Sequence, residues 1–275
     1  MPANVLKAMA ALSKHKLIDM EQYSKSYKIG INSAGAAFEE YVKDLLTGQF
    51  YASPGERMRA FSNEYSWLGN QNFPPDAIAA GGDAFEIKKH EKPASAIALN
   101  SSHPRDVLSP DDSMLTSECK ALIGNPLDLF YVVGTVPNGI ARSIYFVQGR
   151  CYAANGSIYQ SISDRVSGAI RNALEGSGLQ FSSTKELGRI NRADPLGRAS
   201  LRIRGMWQIM EPSRAFAAVA PPRNSKEFYA YAIMEERKRS SIGPVPDGVS
   251  ASKASIPSPN NPAKLIDAVV MEVSW

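Results

Sequence analysis

Two carboxylates and a lysine stand close together in the segment 74–89, PPDAIAAGGDAFEIKK. Asp76 follows a pair of prolines, and Glu86 and Lys88 flank one apolar residue. Hard divalent cations such as Mg²⁺ prefer carboxylate oxygens, and they lower the pKa of water and stabilise charge developing on a phosphate. A lysine ammonium can steady the attacking water or a phosphate oxygen. The pattern indicates a catalytic site for Mg²⁺-dependent phosphodiester hydrolysis; a surface hairpin with solvated charges is the alternative.

The local sequence predicts a β-hairpin that positions these side chains. DAIA and AFEIKK are typical of short strands, and the glycines at 81–82 supply the positive-φ positions of a turn. Side chains alternate along a strand, so Glu86 and Lys88 share one face. The side chains that could take part in catalysis therefore lie on one side of the hairpin, and the other side is free to pack on a core.

The loop length decides whether Asp76 joins them. A two-residue turn pairs Asp76 with Ile87 and places it on the wrong face, because a one-residue shift flips every side chain. A three-residue loop at 81–83 pairs Asp76 with Lys88, and it pairs Ile78 with Glu86. A bulge that re-aims Asp76 would serve equally. With the odd loop, the opposite face is entirely apolar: Ala77, Ala79, Phe85 and Ile87.

An amphipathic helix is predicted over 34–47, AGAAFEEYVKDLLT, with Gly48 as its C-cap. Glu39 and Glu40 flank its apolar stripe. In a nuclease with a two-carboxylate site, a helix glutamate can join the metal site directly or through water. A plain exposed helix charge is the alternative for either residue.

The composition bounds the class of protein. The chain has 275 residues, 44% of them apolar and 21% charged, which is ordinary for a water-soluble globular protein and contains no run long enough to span a membrane. Its first 17 residues resemble an amphipathic helix more than a secretory signal. Cys119 and Cys151 form no metal-type pair, and the three histidines lack zinc-ligand spacing. We expect a reduced, cytoplasmic protein.

An arginine-dense stretch covers residues 185–205, where only Glu186 and Asp194 are acidic. Arginine matches phosphate oxygens and guanine edges, so the stretch predicts a nucleic-acid surface; a solvated face with surface ion pairs is the alternative. A polar junction at Asn100, Ser101 and Ser102 also suits phosphate or base contacts, or else a simple turn. The basic residues of the stretch are Lys185, Arg189, Arg192, Arg198, Arg202 and Arg204.

The remaining elements alternate between strands and helices. Strands are predicted at 97–99, 128–136, 143–153, 201–207 and 267–275. A helix is predicted over 161–175, capped by Ser161 or Ser163, and the Ser-, Pro-, Gly- and Asn-rich segment 240–262 is expected to be a surface loop.

Several of these segments together resemble the type II restriction endonucleases of the NgoPII type, which are associated with the sequence GGCC. The matching stretches run in one order from about residue 34 to 265. They are FEEYVKDLL, SWLGNQNFPPDA, GDAFEIKK, ALNSSHP, DDSMLT, TKELGRINRADPL, LRIRGMW and NNPAKL. Many long segments in one order are far more specific than the Asp…Glu-x-Lys pattern alone.

The resemblance implies a single α/β domain over 1–275, with a mixed central sheet flanked by helices and with 185–265 as a DNA-recognition subregion. Asp76, Glu86 and Lys88 match the catalytic triad of the larger PD-(D/E)xK nuclease superfamily, with Mg²⁺ on Asp76 and Glu86, and Glu39 fits its helix carboxylate. Double-stranded DNA is the implied substrate, and a separately encoded methyltransferase is the implied partner in function.

A palindromic target is met most simply by a homodimer in which each subunit cuts one strand. Two rivals remain: a repair nuclease with the same site, and a DNA-binding protein whose charged hairpin is incidental. A methyltransferase is disfavoured because no glycine-rich cofactor loop follows a strand.

Overall fold

A computed structural model gives the fold and describes residues 2–27, 34–51, 53–70, 73–92 and 96–275. Its helices are α1 (Val5–Lys14), α2 (Met20–Ser26), α3 (Ala34–Thr47), α4 (Pro54–Glu64), α5 (Ser117–Ala121), α6 (Gly149–Tyr152), α7 (Gly156–Ala173), α8 (Pro212–Ala215) and α9 (Glu236–Ser241). Its strands are β1 (Tyr65–Asn70), β2 (Phe73–Ala79), β3 (Ala84–His90), β4 (Ile97–Asn100), β5 (Val107–Leu108), β6 (Leu127–Thr135), β7 (Ser143–Gln148), β8 (Gln180–Ser182), β9 (Gly188–Asn191), β10 (Leu201–Ile203), β11 (Trp207–Ile209), β12 (Tyr229–Glu235), β13 (Ser250–Ser258) and β14 (Asn261–Ser274).

A mixed sheet forms the centre of the fold, in the order β1-β2-β3-β6-β7-β12-β14-β13, and β5 pairs with the start of β6. Two pairs of strands are parallel, β3 with β6 and β7 with β12, and the other neighbours are antiparallel. Helices cover both faces, so the expected α/β class with a mixed central sheet is confirmed. In the part of the chain that the structure describes, no helix is long and apolar enough to cross a membrane.

The two faces of the sheet have separate cores. On one face, α1, α2 and α3 pack against Phe85, Ile87 and Phe130. On the other face, β4, β11 and α5 pack against Ala84 and Tyr131. Because side chains alternate along β3, Glu86 and Lys88 belong to this second face.

Helix α3 has the predicted bounds, and Gly48 follows it with φ +87°. Its Phe38 is fully buried and lies against Gly134 of β6. A Cβ at position 134 would come within 2.1 Å of the Phe38 ring, so only glycine allows the helix to approach the sheet this closely. The contact fixes the helix that carries Glu39 and Glu40.

Several predicted boundaries are wrong. The predicted strand 201–207 is divided into β10 and β11, which pair with different strands, and the predicted strand 267–275 is the end of the longer β14. The predicted strand 143–153 ends at Gln148, whose side-chain amide bonds Asp128 and Glu235 at the ends of the neighbouring strands, and α6 follows. The predicted helix 161–175 begins at residue 156 and is capped by Asn155, which accepts a hydrogen bond from the Ser157 amide at 3.0 Å. Asn155 caps the helix in preference to Ser161 or Ser163, because it precedes the whole amphipathic stretch.

The segment 240–262, expected to be a surface loop, also differs from its prediction. It contains β13, which forms a long antiparallel hairpin with β14 at the edge of the central sheet. Edge strands tolerate serine, proline and lysine, and proline and lysine hinder the open edge from pairing with another strand. A loop-like composition is therefore compatible with a strand at this position. Part of the proposed subregion 185–265, namely β12, β13 and the start of β14, thus belongs to the central sheet. Strands β9 and β10 pair with β8 in a separate small sheet, and β11 pairs with β4 in another.

Candidate active site

The β2–β3 hairpin brings Asp76, Glu86 and Lys88 to one place. Lys88 Nζ lies 2.6 Å from Glu86 Oε1 and 3.9 Å from Asp76 Oδ2. The side chains of Asp76 and Glu86 are each 15% exposed and that of Lys88 is 26% exposed. They form a half-buried charged group that opens to the outside.

The turn of this hairpin covers residues 80–82, not 81–83. The Ala79 amide donates to the Asp83 carbonyl at 2.9 Å, and the Gly82 amide donates to the Ala79 carbonyl at 3.0 Å. Of the two glycines only Gly81 has a positive φ, +65°. The predicted loop therefore has the right odd length but lies one residue too far along the chain.

The resulting register differs from the predicted one by two residues. Ala77 pairs with Phe85 and Ile78 pairs with Ala84, so the predicted partnership of Ile78 with Glu86 is wrong. A shift of two residues leaves every side chain on its own face. The apolar face expected from the odd loop is accordingly confirmed in the buried core: Ala77, Ala79, Phe85 and Ile87.

Pro75 accounts for the place where the two strands separate. The ladder stops after the Ala77–Phe85 pair. In this register the next residue of β2 to form ladder hydrogen bonds would be Pro75, opposite Ile87, and it has no N–H to donate. Its carbonyl accepts instead from Trp67 Nε1 at 3.1 Å. The Ile87 amide turns to the carboxylate of Asp76, with 2.6 Å between Ile87 N and Asp76 Oδ2. The Asp76 carboxylate is thereby held between the strands beside Glu86 and Lys88.

The two carboxylates compete for one positive charge. Burial raises the pKa of Asp76 to about 7, and the negative charge of Glu86 adds to this, while Lys88 and the Ile87 amide oppose it. Burial alone would lower the pKa of Lys88, but Glu86 and Asp76 outweigh it, and the pKa lies above its ordinary value. The site thus concentrates more negative charge than its lysine compensates.

Glu39 and Glu40 have different surroundings. Glu40 Oε2 lies 2.6 Å from Arg57 Nη2, and Glu40 Oε1 lies 2.9 Å from Lys43 Nζ, so this residue is held within the helical layer. Glu39 also contacts Lys43, at 2.6 Å, but its charge reaches the hairpin, where it raises the pKa of Asp76 and of Lys88. Of the two helix glutamates, Glu39 is therefore the one whose charge acts on the site.

The donor set fits a hard divalent cation. Asp76 and Glu86 offer carboxylate oxygens on both sides of the place where the Lys88 ammonium lies, so a positive charge is already accommodated there. Among the described residues, however, no three Asp, Glu, His or Cys side chains are grouped closely enough to hold a metal ion, and Glu39 is not grouped with the hairpin pair in that way.

The polar junction after β4 lies on the same face of the sheet as Glu86 and Lys88. Strand β4 pairs with β11, and both pack on the core that contains Ala84. Asn100 ends β4 with φ +52°, and the Ser102 amide closes a turn by donating to the Leu99 carbonyl at 3.2 Å. Ser101 Oγ donates to Glu186 Oε1 at 2.7 Å, which joins this junction to the arginine-dense stretch.

We call the small sheet β8-β9-β10 the arm. Arg189 on β9 lies directly opposite Arg202 on β10, so two cations share one face of the sheet, and Arg189 Nη2 donates to Ser200 Oγ at 2.8 Å. Arg192 stands in the turn after β9 with φ +51°. Exposed Lys185 lines a groove of about 660 Å³ between the arm, α7 and the β4 junction. The structure thus brings Arg189, Arg202 and Arg204 together on and beside the arm, whereas Lys185 lines the groove and Arg192 stands in the turn after β9.

Sequence reasoning missed the role of Glu186 in the arm. It was counted only as one of two acids in a basic stretch, yet its side chain is 4% exposed and it lies between Arg202 and Arg204, 2.8 Å from the Nε of each. A single carboxylate within a run of arginines was the available signal.

The family model described as NgoPII restriction endonuclease matches residues 3–247. The chain is therefore a type II restriction endonuclease, a site-specific deoxyribonuclease whose partner is double-stranded DNA. Enzymes of this class generally depend on a divalent metal. The rival expectations of a repair nuclease and of a DNA-binding protein without cleavage are thereby set aside.

More particularly, the chain belongs to the NgoPII restriction endonuclease family. The Type II restriction enzyme NgoPII of Neisseria gonorrhoeae is 39% identical to it over 274 residues, an alignment that covers 96% of this chain and 97% of the relative. No solved structure matches the chain.

Proposed function

We propose that the protein hydrolyses double-stranded DNA at GGCC with Mg²⁺ as its cofactor, and that Asp76, Glu86 and Lys88 carry the chemistry. The observation that carries this proposal is the convergence of the three side chains on one half-buried spot of the β2–β3 hairpin. The target sequence rests on membership of the NgoPII family. Water attacks the phosphorus in line, the bond to the 3′ oxygen breaks, and the products are a 5′ phosphate and a 3′ hydroxyl.

The roles of the residues follow from their contacts. Asp76 and Glu86 would hold the cation, and the Ile87 amide keeps the Asp76 carboxylate directed at it. When bound, Mg²⁺ supplies a Lewis acid that favours ionisation of water and neutralises charge on the phosphate. The Lys88 ammonium, released from Glu86, would donate hydrogen bonds to the attacking water or to a phosphate oxygen. Glu39 would act on the site through its charge or through water.

Removal of the metal is expected to stop the reaction. Mixed with a plasmid of mapped sequence, the purified protein should give discrete fragments in Mg²⁺, none in excess EDTA, and the same fragments again when Mg²⁺ is restored in excess. The measurement is the fragment pattern on a gel. Cleavage that proceeds undiminished in EDTA would contradict a site built on Asp76 and Glu86.

A homodimer is part of the same proposal, because a palindrome presents the same half-site twice about a twofold axis. Helix α7 supports it. None of its 18 residues is buried, and its outer side carries Ile158, Ile162 and Val166 at helical spacing, with 44%, 45% and 40% of each exposed. An apolar stripe needs an apolar cover, which DNA does not provide, and a stripe centred on Ile162 can pair with its own copy. We propose further that a separately encoded methyltransferase is the enzyme's partner in function and that the enzyme is cytoplasmic.

Replacing Ile162 with Glu should therefore convert the dimer to a monomer and greatly reduce double-strand cleavage. Ser161→Glu, an exposed neighbour off the stripe, is the matched control and should remain dimeric. Sedimentation equilibrium measures the mass of each variant. A wild type that is monomeric while it cuts both strands, or an Ile162→Glu variant that stays dimeric, would exclude this surface.

A further inference from the structure

The arm contains a carboxylate whose position suggests a task beyond structure. Glu186 Oε2 accepts from Arg202 Nε at 2.8 Å, and Glu186 Oε1 accepts from Arg204 Nε at 2.8 Å and from Ser101 Oγ at 2.7 Å. One buried anion thus organises two arginines of one segment and a serine that lies about 100 residues earlier in the chain. We call this group the arginine clamp: Ser101, Glu186, Arg202 and Arg204.

The arginines of the clamp remain available to a ligand. Their side chains are 61% and 56% exposed, whereas that of Glu186 is 4% exposed. Within the described residues, Arg202 uses only Nε for hydrogen bonding, which leaves its two terminal nitrogens for another acceptor. Arg204 additionally donates from Nη2 to Ser101 Oγ at 3.2 Å. Arg202 is therefore the freer of the two.

An arginine held through Nε, with both terminal nitrogens free, is suited to recognise guanine. A guanidinium presents parallel N–H bonds to guanine O6 and N7, and the contact is strongest when the side chain is oriented before binding. A carboxylate on Nε restricts the rotation of the guanidinium and leaves the terminal fork open. Ser101 follows β4, which packs on the sheet face that carries Glu86 and Lys88, so the clamp also ties the arm to the catalytic side of the protein.

We propose that Glu186 is a positioning residue for sequence recognition, which holds Arg202 so that its terminal nitrogens read a guanine of the target site. The inference rests on the proposed function, in that it assumes a target containing G·C pairs. Glu186 would then determine how well the protein distinguishes its target site from other DNA sequences, and it would leave the proposed catalytic residues on the hairpin unaffected.

The test uses full-length protein and two DNA duplexes in buffer without Mg²⁺. One duplex carries the site that the wild-type fragment ends define, and the other differs from it at one G·C pair, so the test does not depend on the site being GGCC. Dissociation constants are measured at several salt concentrations for wild type and Glu186→Gln. Glu175→Gln, the loss of one exposed acid near the arm, is the matched control.

We expect Glu186→Gln to lower the ratio of the two affinities roughly tenfold or more, with little change for the variant duplex. Arg202→Lys, which keeps the charge but not the fork, should lower the ratio similarly, and the double variant should be no worse than the poorer single one. Thermal unfolding shows that each variant is folded. A ratio equal to that of wild type and Glu175→Gln in either single variant would overturn the proposal, as would an equal loss of affinity for both duplexes, which indicates a phosphate contact instead.

Discussion

Glu86→Gln and Asp76→Asn are each expected to reduce the rate of DNA cleavage by at least about a thousandfold, while specific DNA binding persists. Each variant keeps the shape of the side chain and removes a carboxylate that would hold the metal, whose contribution to catalysis is worth several kcal/mol. Lys88→Met should have a comparable effect, because the ammonium lies 2.6 Å from Glu86 Oε1 and 3.9 Å from Asp76 Oδ2, within the same charged group.

The measurement is single-turnover cleavage in Mg²⁺, together with binding to the same duplex without it. Glu91→Gln is a suitable control, since Glu91 is a carboxylate just after β3 that pairs with Lys89 outside the site. It should cleave like wild type. A rate within tenfold of wild type for any of the three site variants would remove that residue from the chemistry.

Asp44→Ala is expected to lower the free energy of unfolding by roughly 3 kcal/mol, a large part of a typical domain's stability. Asp44 is fully buried and accepts from Tyr23 Oη at 2.5 Å and from Arg57 Nε at 2.8 Å. Burial raises its pKa to about 6, against the influence of Arg57 and Tyr23, so the carboxylate is ionised at neutral pH. Its removal leaves the Tyr23 hydroxyl unpaired and Arg57 with Glu40 alone.

Denaturant unfolding at neutral pH measures this loss, and Asp44→Asn should lose less because the amide can still accept from Tyr23. The control is Glu21→Ala, which removes one partner of the exposed Glu21–Lys25 pair and should leave the midpoint nearly unchanged. Equal midpoints for Asp44→Ala and Glu21→Ala would show that the buried group does not hold α2, α3 and α4 together.

Much of the hairpin that holds the proposed catalytic residues could be predicted from the sequence. Alternation along β3 and an odd loop were enough to place Asp76 with Glu86 and Lys88 and to identify the buried face. The register itself was out of reach, because two adjacent glycines allow the turn to begin at more than one residue. The position of the Asp76 carboxylate was also out of reach: the Pro75 carbonyl accepts from Trp67 Nε1, so the Ile87 amide donates to Asp76 Oδ2 instead. Those contacts join residues that local spacing does not relate.

The errors elsewhere have the same origin. Strand β13 has the composition of a loop and becomes a strand only through its pairing with β14. Helix α7 was predicted to start too late because its serines compete locally with Asn155 as caps. Glu186 could not be distinguished from a surface charge until its two arginine partners were brought together by the arm.

Sequencing the fragment ends that the protein produces from genomic DNA in Mg²⁺ tests the proposed function most directly. We expect every end to derive from a GGCC site, the same DNA methylated within GGCC to be spared, and Glu86→Gln to yield no such ends at the same protein concentration. Ends at scattered sequences, or unchanged cleavage by Glu86→Gln, would contradict it.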